Sequence, residues 1–197
     1  MLDNYFDKIF YINLAKDLER NSHILEELSK YNIANFERVD GVIYDSIPNK
    51  NLWRNFNKTD DRYVLGSLGA RDSHLKVVSI AKERCYKRIL ILEDDITFVT
   101  NPNRIDINQD WDMLYLGGMI EPHFRNQIVG AYAYALSEKI YDDILNIAVP
   151  SGMEIDNFYA KILQHMSLNS GRYGQYNVEK IEPFPVRVNF EYGSNIR

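Results

Sequence analysis

The chain has 197 residues, enough for one domain with a sizeable core, and its net charge of −5 argues against a general nucleic-acid binder, which needs a basic face. A single cysteine, Cys85, excludes an intrachain disulfide and a cysteine-based metal site. No stretch approaches the roughly 18 apolar residues of a membrane span, and the first residues do not follow the pattern of a signal peptide. We therefore expect a cytoplasmic protein, for which peripheral contact with a membrane stays open.

The first elements of the chain predict a strand, a helix and a second strand. Residues 8–14 are rich in β-forming side chains, and Asp17 is a suitable N-cap for a helix over residues 17–31. Residues 36–39 predict a second strand that ends at Asp40, which completes a βαβ unit. The buried face of the helix is predicted to consist of Leu18, Ile24, Leu25 and Leu28.

A long polar segment and a long helix follow. Residues 44–63 are predicted to form a loop, which Trp53 and Phe56 attach to the body of the protein. A helix is predicted over residues 66–84, with a buried stripe of Leu68, Leu75, Val78 and Ala81. One turn of this helix also carries four polar side chains, those of Arg71, Asp72, Ser73 and His74.

The most informative stretch is the apolar run 89–92, which is followed by three consecutive acids, Glu93, Asp94 and Asp95. A short, uniformly apolar run is typical of a central strand buried on both faces. In open α/β sheets, ligand sites lie just outside the carboxyl ends of such strands. Three carboxylates in a row favour a hard divalent cation, Mg²⁺ or Mn²⁺. The alternative is that one acid caps a helix or pairs with a nearby cation while the others are solvated.

Beyond the acids, the chain continues to alternate between short strands and helices. The predicted elements are strands at 96–99, 112–116 and 130–136, a loop or hairpin at 119–128, a helix at 138–148 capped by Ser137, and a helix from Glu154 to about residue 166. The strand at 130–136 alternates small and aromatic residues, so its two faces are expected to differ. The whole pattern predicts an α/β fold with a mainly parallel central sheet and one or two antiparallel strands after the acids.

Two reactions fit acids at the end of a central strand. One is glycosyl transfer from a nucleotide-sugar, and the other is phosphoryl transfer of the haloacid-dehalogenase type, in which four apolar residues precede Asp-x-Asp-x-Thr. Here the nucleophile position of that motif holds Glu93, whose extra methylene disturbs a tight in-line geometry. The acidic strand is also predicted to be the third of the chain rather than the first. Glycosyl transfer is therefore the favoured interpretation.

Several blocks, in this order and spacing, resemble glycosyltransferase family 25, the lipopolysaccharide-type and procollagen-type galactosyltransferases. They are Tyr11-Ile-Asn-Leu14 with Arg20, Arg38-Val-Asp-Gly41, Gly66-x-x-Gly69-Ala-x-x-Ser73-His74, Ile91-Leu-Glu-Asp-Asp95, Trp111-Asp-x-x-Tyr115-Leu-Gly117, Ala133-Tyr-x-Leu-Ser137 and Ile155-Asp156. The resemblance implies a GT-A fold, in which a Rossmann-like, mainly parallel sheet is flanked by helices. It also implies a single glycosyltransferase domain, with a nucleotide-sugar-binding half in residues 1–99 and an acceptor-binding half in residues 100–197.

The resemblance further implies an activity. The expected reaction is the inverting, metal-dependent transfer of a hexose, galactose or else glucose, from a UDP-sugar to a hydroxyl of a glycan or glycoconjugate. The expected cofactor is Mn²⁺ or Mg²⁺. We expect Asp95 to be a direct metal ligand, with Glu93 as a second metal contact and Asp94 facing the ribose or metal-bound water.

The N-terminal blocks would then hold the UDP-sugar. The donor-site candidates are Ile12, Asn13, Leu14, Arg20, Asp40, Ser73, His74 and Asp94. A cation in the first turn of a helix is poorly placed with respect to the helix dipole, so Arg20 is suited to meet the diphosphate. The alternatives are a solvated Arg20, a turn-forming Asp40 and a core His74.

An inverting transfer needs a base that takes the proton of the acceptor hydroxyl. Asp156 is the candidate, with Glu154 in reserve, and the alternative is an acid stabilised by a helix N-terminus. The chain departs from the family at Arg71 and Asp72, where the family commonly has cysteine or an apolar residue, and at its last residues, 193–196. The competing function is a non-catalytic nucleotide-sugar or glycan-binding module derived from such an enzyme.

Overall fold

The computed structural model describes residues 2–108, 110–122, 127–164 and 176–192. The strands in these ranges are β1 Lys8–Asn13, β2 Phe36–Asp40, β3 Arg88–Glu93, β4 Ile96–Phe98, β5 Met113–Tyr115, β6 Met119–Glu121, β7 Gln127–Val129, β8 Ala133–Ser137, β9 Val178–Lys180 and β10 Val186–Val188. The α-helices are α1 Leu18–Lys30, α2 Asp61–Glu83, α3 Tyr141–Ser151 and α4 Ile155–Phe158, which continues as a π-helix, Tyr159–Gln164. Short 3₁₀ turns lie at Leu2–Asn4, Lys50–Leu52, Pro102–Arg104, Glu138–Ile140 and Phe190–Tyr192.

The described strands form one central sheet in the order β2-β1-β3-β8-β5-β9. Neighbouring strands are parallel except at β8, which runs antiparallel to both β3 and β5. Two antiparallel pairs, β10 with β4 and β6 with β7, lie outside this sheet. The predicted α/β fold with a mainly parallel sheet is confirmed, as is the expected antiparallel strand after the acids. The segment 119–128 forms a hairpin, one of the two forms expected.

The acidic strand β3 lies inside the sheet, between β1 and β8. Its apolar residues are fully buried, with Ile89 and Ile91 facing the core under α2 and α3, and Leu90 and Leu92 facing the core under α1. Burial of each of these side chains stabilises the fold by about 1.5–3 kcal/mol. The prediction of a strand buried on both faces is therefore confirmed.

Helix α1 has the predicted bounds to within one residue, but its buried face is narrower than predicted. Ile24 and Leu28 are fully buried, whereas Leu18 is 72% exposed and Leu25 is also exposed. At ~100° per residue, Leu18 and Leu25 point about a third of a turn away from Ile24. Only the line through Ile24 and Leu28 therefore faces the sheet.

Helix α2 begins at Asp61, earlier than the predicted start at residue 66. The side chain of Asp60 accepts a hydrogen bond from the backbone N–H of Tyr63 at 3.0 Å and caps the first turn. The sequence suggested a loop here because Asp60 and Asp61 are polar, although an acid at this place is a good N-cap. The predicted buried stripe is confirmed in full, since Leu68, Leu75, Val78 and Ala81 are all buried.

The chain between β2 and α2, residues 41–60, is the β2–α2 connection. It contains one 3₁₀ turn and is otherwise irregular, as predicted. Phe56 is buried against Val64 and Leu68 of α2, and Trp53 packs on the same cluster. The predicted attachment of this segment through Trp53 and Phe56 is confirmed.

Strand β8 begins at Ala133 rather than at residue 130. Its small residues face one core and its large residues, Tyr134 and Leu136, face the other, as the alternation predicted. The predicted helix cap at Ser137 is wrong, because its side chain makes no capping hydrogen bond and a 3₁₀ turn intervenes before α3. Helix α3 ends at Gly152, which adopts a left-handed conformation with φ of 65°.

None of the helices in the described part of the chain is long and apolar enough to cross a membrane. The predicted helix end near residue 166, the tip of the 119–128 hairpin and the final block 193–196 fall outside the described residues.

Candidate active site

A cleft of about 490 Å³ opens beyond the carboxyl ends of β1 and β3, beside α1, α2 and the β2–α2 connection. Of the twelve site residues predicted from the sequence, nine line it: Ile12, Asn13, Leu14, Arg20, Ser73, His74, Glu93, Asp94 and Asp95. Its walls also contain Gly41, Gly66, Gly69 and Ala70 of the family blocks, and residues that the sequence did not single out, namely Lys16, Val42, Ile43, Tyr44, Arg62 and Leu65. The volume is in the range of small-ligand sites.

The three acids reach this cleft through the register of the sheet. Ile12 of β1 lies opposite Glu93 of β3, so the residues that follow the two parallel strands meet at one edge. There, Asn13 Nδ2 donates to Asp94 Oδ2 at 2.6 Å. Asp94 and Asp95 are both buried, while Glu93 is partly exposed to the cleft.

Arg20 reaches the same edge from the first turn of α1. Its Nη1 lies 3.1 Å from Asp94 Oδ1, and its Nη2 donates to Asp95 Oδ2. The guanidinium group thus bridges two carboxylates with its side chain only 11% exposed. The alternative of a solvated Arg20 is wrong. In this structure its anionic partners are the side chains of Asp94 and Asp95.

Electrostatically, this edge is short of positive charge. Burial, followed by repulsion from Glu93, raises the pKa of Asp95 to about 7, although Arg20 acts in the opposite direction. Burial also raises the pKa of Asp94, against the hydrogen bond from Asn13 and the charge of Arg20. A single guanidinium therefore does not compensate the three acids.

The donor set of this edge suits a hard divalent cation. Oδ1 of Asp95 is shielded from solvent and has no hydrogen-bond partner among the described residues. An orphaned, buried carboxylate oxygen is the kind of atom that a metal ion satisfies. Within the described ranges, however, no three His, Cys, Asp or Glu side chains are grouped closely enough to hold a metal by themselves. A cation here would share its remaining positions with water and a ligand.

His74 connects the cleft to a buried polar network. Its Nε2 lies 3.2 Å from Glu93 Oε1, and its Nδ1 lies 2.8 Å from the hydroxyl of Tyr134, which is 3.1 Å from that of Tyr159. Because a carboxylate only accepts, we assign the proton to Nε2, so that Nδ1 accepts from Tyr134. His74 is therefore buried and hydrogen-bonded at both nitrogens, and it orients Glu93 at the wall of the cleft.

Ser73 shapes the wall of the cleft. Its hydroxyl donates to the carbonyl of Gly69 at 2.6 Å and accepts from the N–H of Val42 at 2.7 Å. A Cβ on Gly69 would lie 2.5 Å from the carbonyl oxygen of Val42, so a larger residue does not fit between α2 and the connection. Gly69 belongs to the Gly66-x-x-Gly69 block that carries the family resemblance.

Asp40 does not line the cleft. Its side chain is 61% exposed and lies 2.7 Å from Arg38 Nη2. Arg38 in turn donates to Asn13 Oδ1 at 3.0 Å, which fixes the amide whose nitrogen binds Asp94. In this structure, Asp40 supports the site through Arg38.

Glu154 and Asp156 also lie outside the cleft lining, at the start of α4. The buried carboxylate of Glu154 accepts hydrogen bonds from the N–H of Asn57, the hydroxyl of Tyr63 and the side chain of Asn157. Glu154 therefore fastens α4 to the β2–α2 connection. Burial raises the pKa of Asp156, and repulsion from Glu154 and from Glu93 adds to this effect.

Arg71 and Asp72, where the sequence departs from the family pattern, hold the β2–α2 connection. Arg71 is fully buried, donates to the carbonyl of Leu52 at 2.6 Å and pairs with Asp72 at 2.9 Å. Asp72 also accepts from the hydroxyl of Tyr44, which lines the cleft. Burial and this hydrogen bond raise the pKa of Tyr44 to about 12.

The chain resembles known proteins in both sequence and structure. The family model of glycosyltransferase family 25 (LPS biosynthesis protein) matches residues 6–127. A search of curated proteins gives no match. Among solved structures, a glycosyltransferase involved in glycosylation of the major capsid of PBCV-1 has 12% identity and a TM-score of 0.48, covering 89% of this chain and 81% of its own. A mutant of Drosophila beta-1,4-galactosyltransferase 7, in complex with manganese, UDP-Gal and xylobiose, has 10% identity and a TM-score of 0.49, covering 96% of this chain and 74% of its own.

The family match spans more than half of the chain, from before β1 to the start of β7, and it includes every residue of the cleft. It leaves the dehalogenase-type interpretation without support. The chain therefore belongs to glycosyltransferase family 25, which confirms the resemblance found in the sequence.

Proposed function

We propose that this protein is an inverting, metal-dependent glycosyltransferase that moves a hexose from a UDP-sugar to a hydroxyl of a glycan or glycoconjugate. The observation that carries the proposal is the cleft edge at Asp94 and Asp95, where a buried carboxylate oxygen has no hydrogen-bond partner among the residues that the structure describes. Galactose, the usual donor sugar of the family, is the proposed hexose, with glucose as the alternative.

In this proposal, the cleft holds the donor. The strand-end backbone of Ile12, Asn13 and Leu14 faces the uracil and ribose, and the cationic side chains that line the cleft face the diphosphate. Asp95, with Glu93 as a second contact, would hold Mn²⁺ or Mg²⁺, which supplies charge neutralisation at the leaving diphosphate, and Asp94 would face the ribose or metal-bound water. Residues 1–99 act as the nucleotide-sugar half.

Asp156 is the proposed base, from the acceptor half in residues 100–197. It takes the proton of the acceptor hydroxyl as that oxygen bonds to the anomeric carbon, while the bond from this carbon to UDP breaks and its electron pair leaves with UDP. A raised pKa suits this role, because it makes Asp156 a stronger base than an ordinary carboxylate. Glu154, the reserve candidate, already accepts three hydrogen bonds.

The test is UDP release by the purified protein with UDP-galactose or UDP-glucose and Mn²⁺, followed by NMR of the freshly released sugar. We expect UDP release, the β anomer as first product from the α-linked donor, and a loss of at least about 100-fold in the variant Asp95→Asn. The control is Asp61→Asn, which changes an exposed acid of α2 and should leave the rate unchanged.

The competing function, a non-catalytic binding module, predicts a different result. In that case UDP-sugars would raise the melting temperature with Mn²⁺ present, because a ligand that binds only the folded state stabilises it. No UDP would be released, and Asp95→Asn would change binding alone. An absence of both binding and release would contradict either function.

A further inference from the structure

Arg20 stands where the proposed metal would have to bind. The guanidinium pairs with Asp94 and Asp95 at once, and these side chains are 6% and 8% exposed. Bridging two carboxylates with one planar group is a strong use of arginine, because each carboxylate receives a charge-assisted hydrogen bond. The acids at the cleft edge thus have a cation of their own.

A divalent ion and this guanidinium compete for the same oxygens. Metal–oxygen bonds at such sites are about 2.0–2.6 Å long, so a bound ion would lie within a few ångströms of the Arg20 charge. At that separation two like charges repel strongly at a protein surface. Asp95 Oδ1, which has no hydrogen-bond partner in the described part of the chain, offers the ion a first contact, but Asp95 Oδ2 and Asp94 Oδ1 are held by Arg20.

The position of Arg20 would also allow it to pair with an anionic ligand in the cleft. It lines the donor cleft together with Lys16 and Arg62, so the guanidinium is within the space where an anionic ligand would lie. It sits in the first turn of α1, where the helix dipole disfavours a cation unless an anion is near. A side chain released from the acids would therefore pair with an incoming anion rather than remain alone.

We propose that Arg20 is an exchangeable counter-cation: it neutralises Asp94 and Asp95 in the ligand-free protein, leaves them when a divalent cation binds, and then pairs with the diphosphate of the donor. The inference rests on the proposed function and concerns the regulation of that site. The consequence is that metal and diphosphate bind with positive cooperativity. The metal displaces Arg20 from the acids, and the diphosphate pairs with the displaced guanidinium.

Titration calorimetry of Mn²⁺ alone, UDP alone, and UDP at saturating Mn²⁺ tests this exchange in the wild type and in Arg20→Gln. We expect Arg20→Gln to bind Mn²⁺ alone at least about five-fold more tightly, since its competitor is gone, and to lose most of the coupling between Mn²⁺ and UDP. A fixed, purely structural ion pair predicts unchanged or weaker Mn²⁺ binding in Arg20→Gln, which would overturn the proposal.

The matched control is Arg62→Gln, which removes the same charge from the same cleft. Arg62 makes no ion pair with the acids in the described part of the chain, so its loss should change Mn²⁺ affinity much less than that of Arg20. Equal gains in both variants would show a general field effect and would contradict a direct exchange.

The wild type alone provides a second readout if Arg20→Gln does not fold. NMR of the Arg20 guanidinium should show faster exchange of its protons with water when Mg²⁺ is added, and renewed protection when UDP follows. Unchanged protection would overturn the exchange. If neither ion nor UDP binds the wild type, the proposed function fails as well; if both bind without releasing Arg20, only the exchange fails.

Discussion

At the scale of single residues, the site places carboxylates where their charge is unfavourable. Asp95 is buried and Asp156 is partly buried, and both have raised pKa values because of this burial and of neighbouring acids. Such an arrangement lowers the stability of the protein and persists at sites where the charge has a use. Two predictions about Asp156 follow from this.

Asp156→Asn should make the protein more stable and inactive. The amide keeps an oxygen that can accept the hydrogen bond from Asn157 N–H, now at 2.7 Å, but removes a charge repelled by Glu154. We expect the free energy of unfolding in urea at pH 7 to rise by about 0.5–2 kcal/mol. The rate of UDP-galactose turnover should fall about 10²–10⁴-fold. Asp61→Asn is the control for both measurements, and a less stable Asp156→Asn would contradict the prediction.

The stability gained by Asp156→Asn should depend on pH. Because the folded protein raises the pKa of Asp156, it binds this proton more tightly than the unfolded chain does. Below the ordinary pKa of aspartate, about 3.9, Asp156 is protonated and does not destabilise the wild type. As the pH rises from there through the raised pKa, Asp156 becomes charged and the wild type loses stability. Urea unfolding of the two proteins at pH 4 and pH 7 should show a small difference at pH 4 and a larger one at pH 7. A difference that shrinks as pH rises would contradict the sign.

At the scale of elements, the β2–α2 connection joins the two halves of the site. Arg71 donates to the carbonyl of Leu52, and Asp72 pairs with Arg71 and accepts from the hydroxyl of Tyr44, so both residues attach this segment to α2. Tyr44 also lines the cleft. Further along, Asn55 donates to the carbonyl of Ser151, and Glu154 accepts from Asn57. The segment that carries Asp156 is thus attached to the wall of the cleft.

Arg71→Met should loosen this connection. The change removes the hydrogen bond to Leu52 and leaves Asp72 without its cation, so we expect a loss of about 3 kcal/mol in the free energy of unfolding. Limited proteolysis should then cut residues 44–60 sooner than in the wild type. The matched control is Arg84→Met, which breaks an exposed ion pair with Glu37 at the end of the same helix. Equal cleavage rates in the two variants would show that Arg71 does not hold the segment.

At the scale of the whole molecule, the sheet makes the two proposed halves interdependent. Strand β8, from the second half, lies between β3 and β5 and covers the edge of β3. Residues 1–99 alone would therefore expose the unpaired edge of their most apolar strand. The halves differ in proposed role but share one core.

Unfolding of the whole chain should accordingly be a single transition. Trp53 lies in the β2–α2 connection, and Trp111 packs against Phe6 in the core under α1. We expect urea curves from tryptophan fluorescence and far-UV circular dichroism to coincide, as they do for a two-state domain. In the single-tryptophan variants Trp53→Phe and Trp111→Phe, the midpoints seen by fluorescence and by circular dichroism should still agree. An earlier transition at Trp53 alone would show that the connection opens separately.

The sequence determined the features that depend on local pattern. The apolar run 89–92 predicted a strand buried on both faces, and the rule for open α/β sheets predicted that the acids after it lie at the edge where ligands bind. Six of the nine predicted site residues that line the cleft meet there because the parallel neighbours β1 and β3 end together, and the other three, Arg20, Ser73 and His74, reach it from α1 and α2. The ordered blocks also identified the family.

Tertiary structure decided what those residues contact. Nothing local showed that Arg20 would pair with Asp94 and Asp95, because these partners lie far apart in sequence. The long-range pairing that inserts β8 beside β3 also brings Tyr134 to His74, and so fixes the orientation of a histidine that the sequence left undecided. Side-chain periodicity determines which face of an element is buried, but only the packed fold determines which charges share the space beside it.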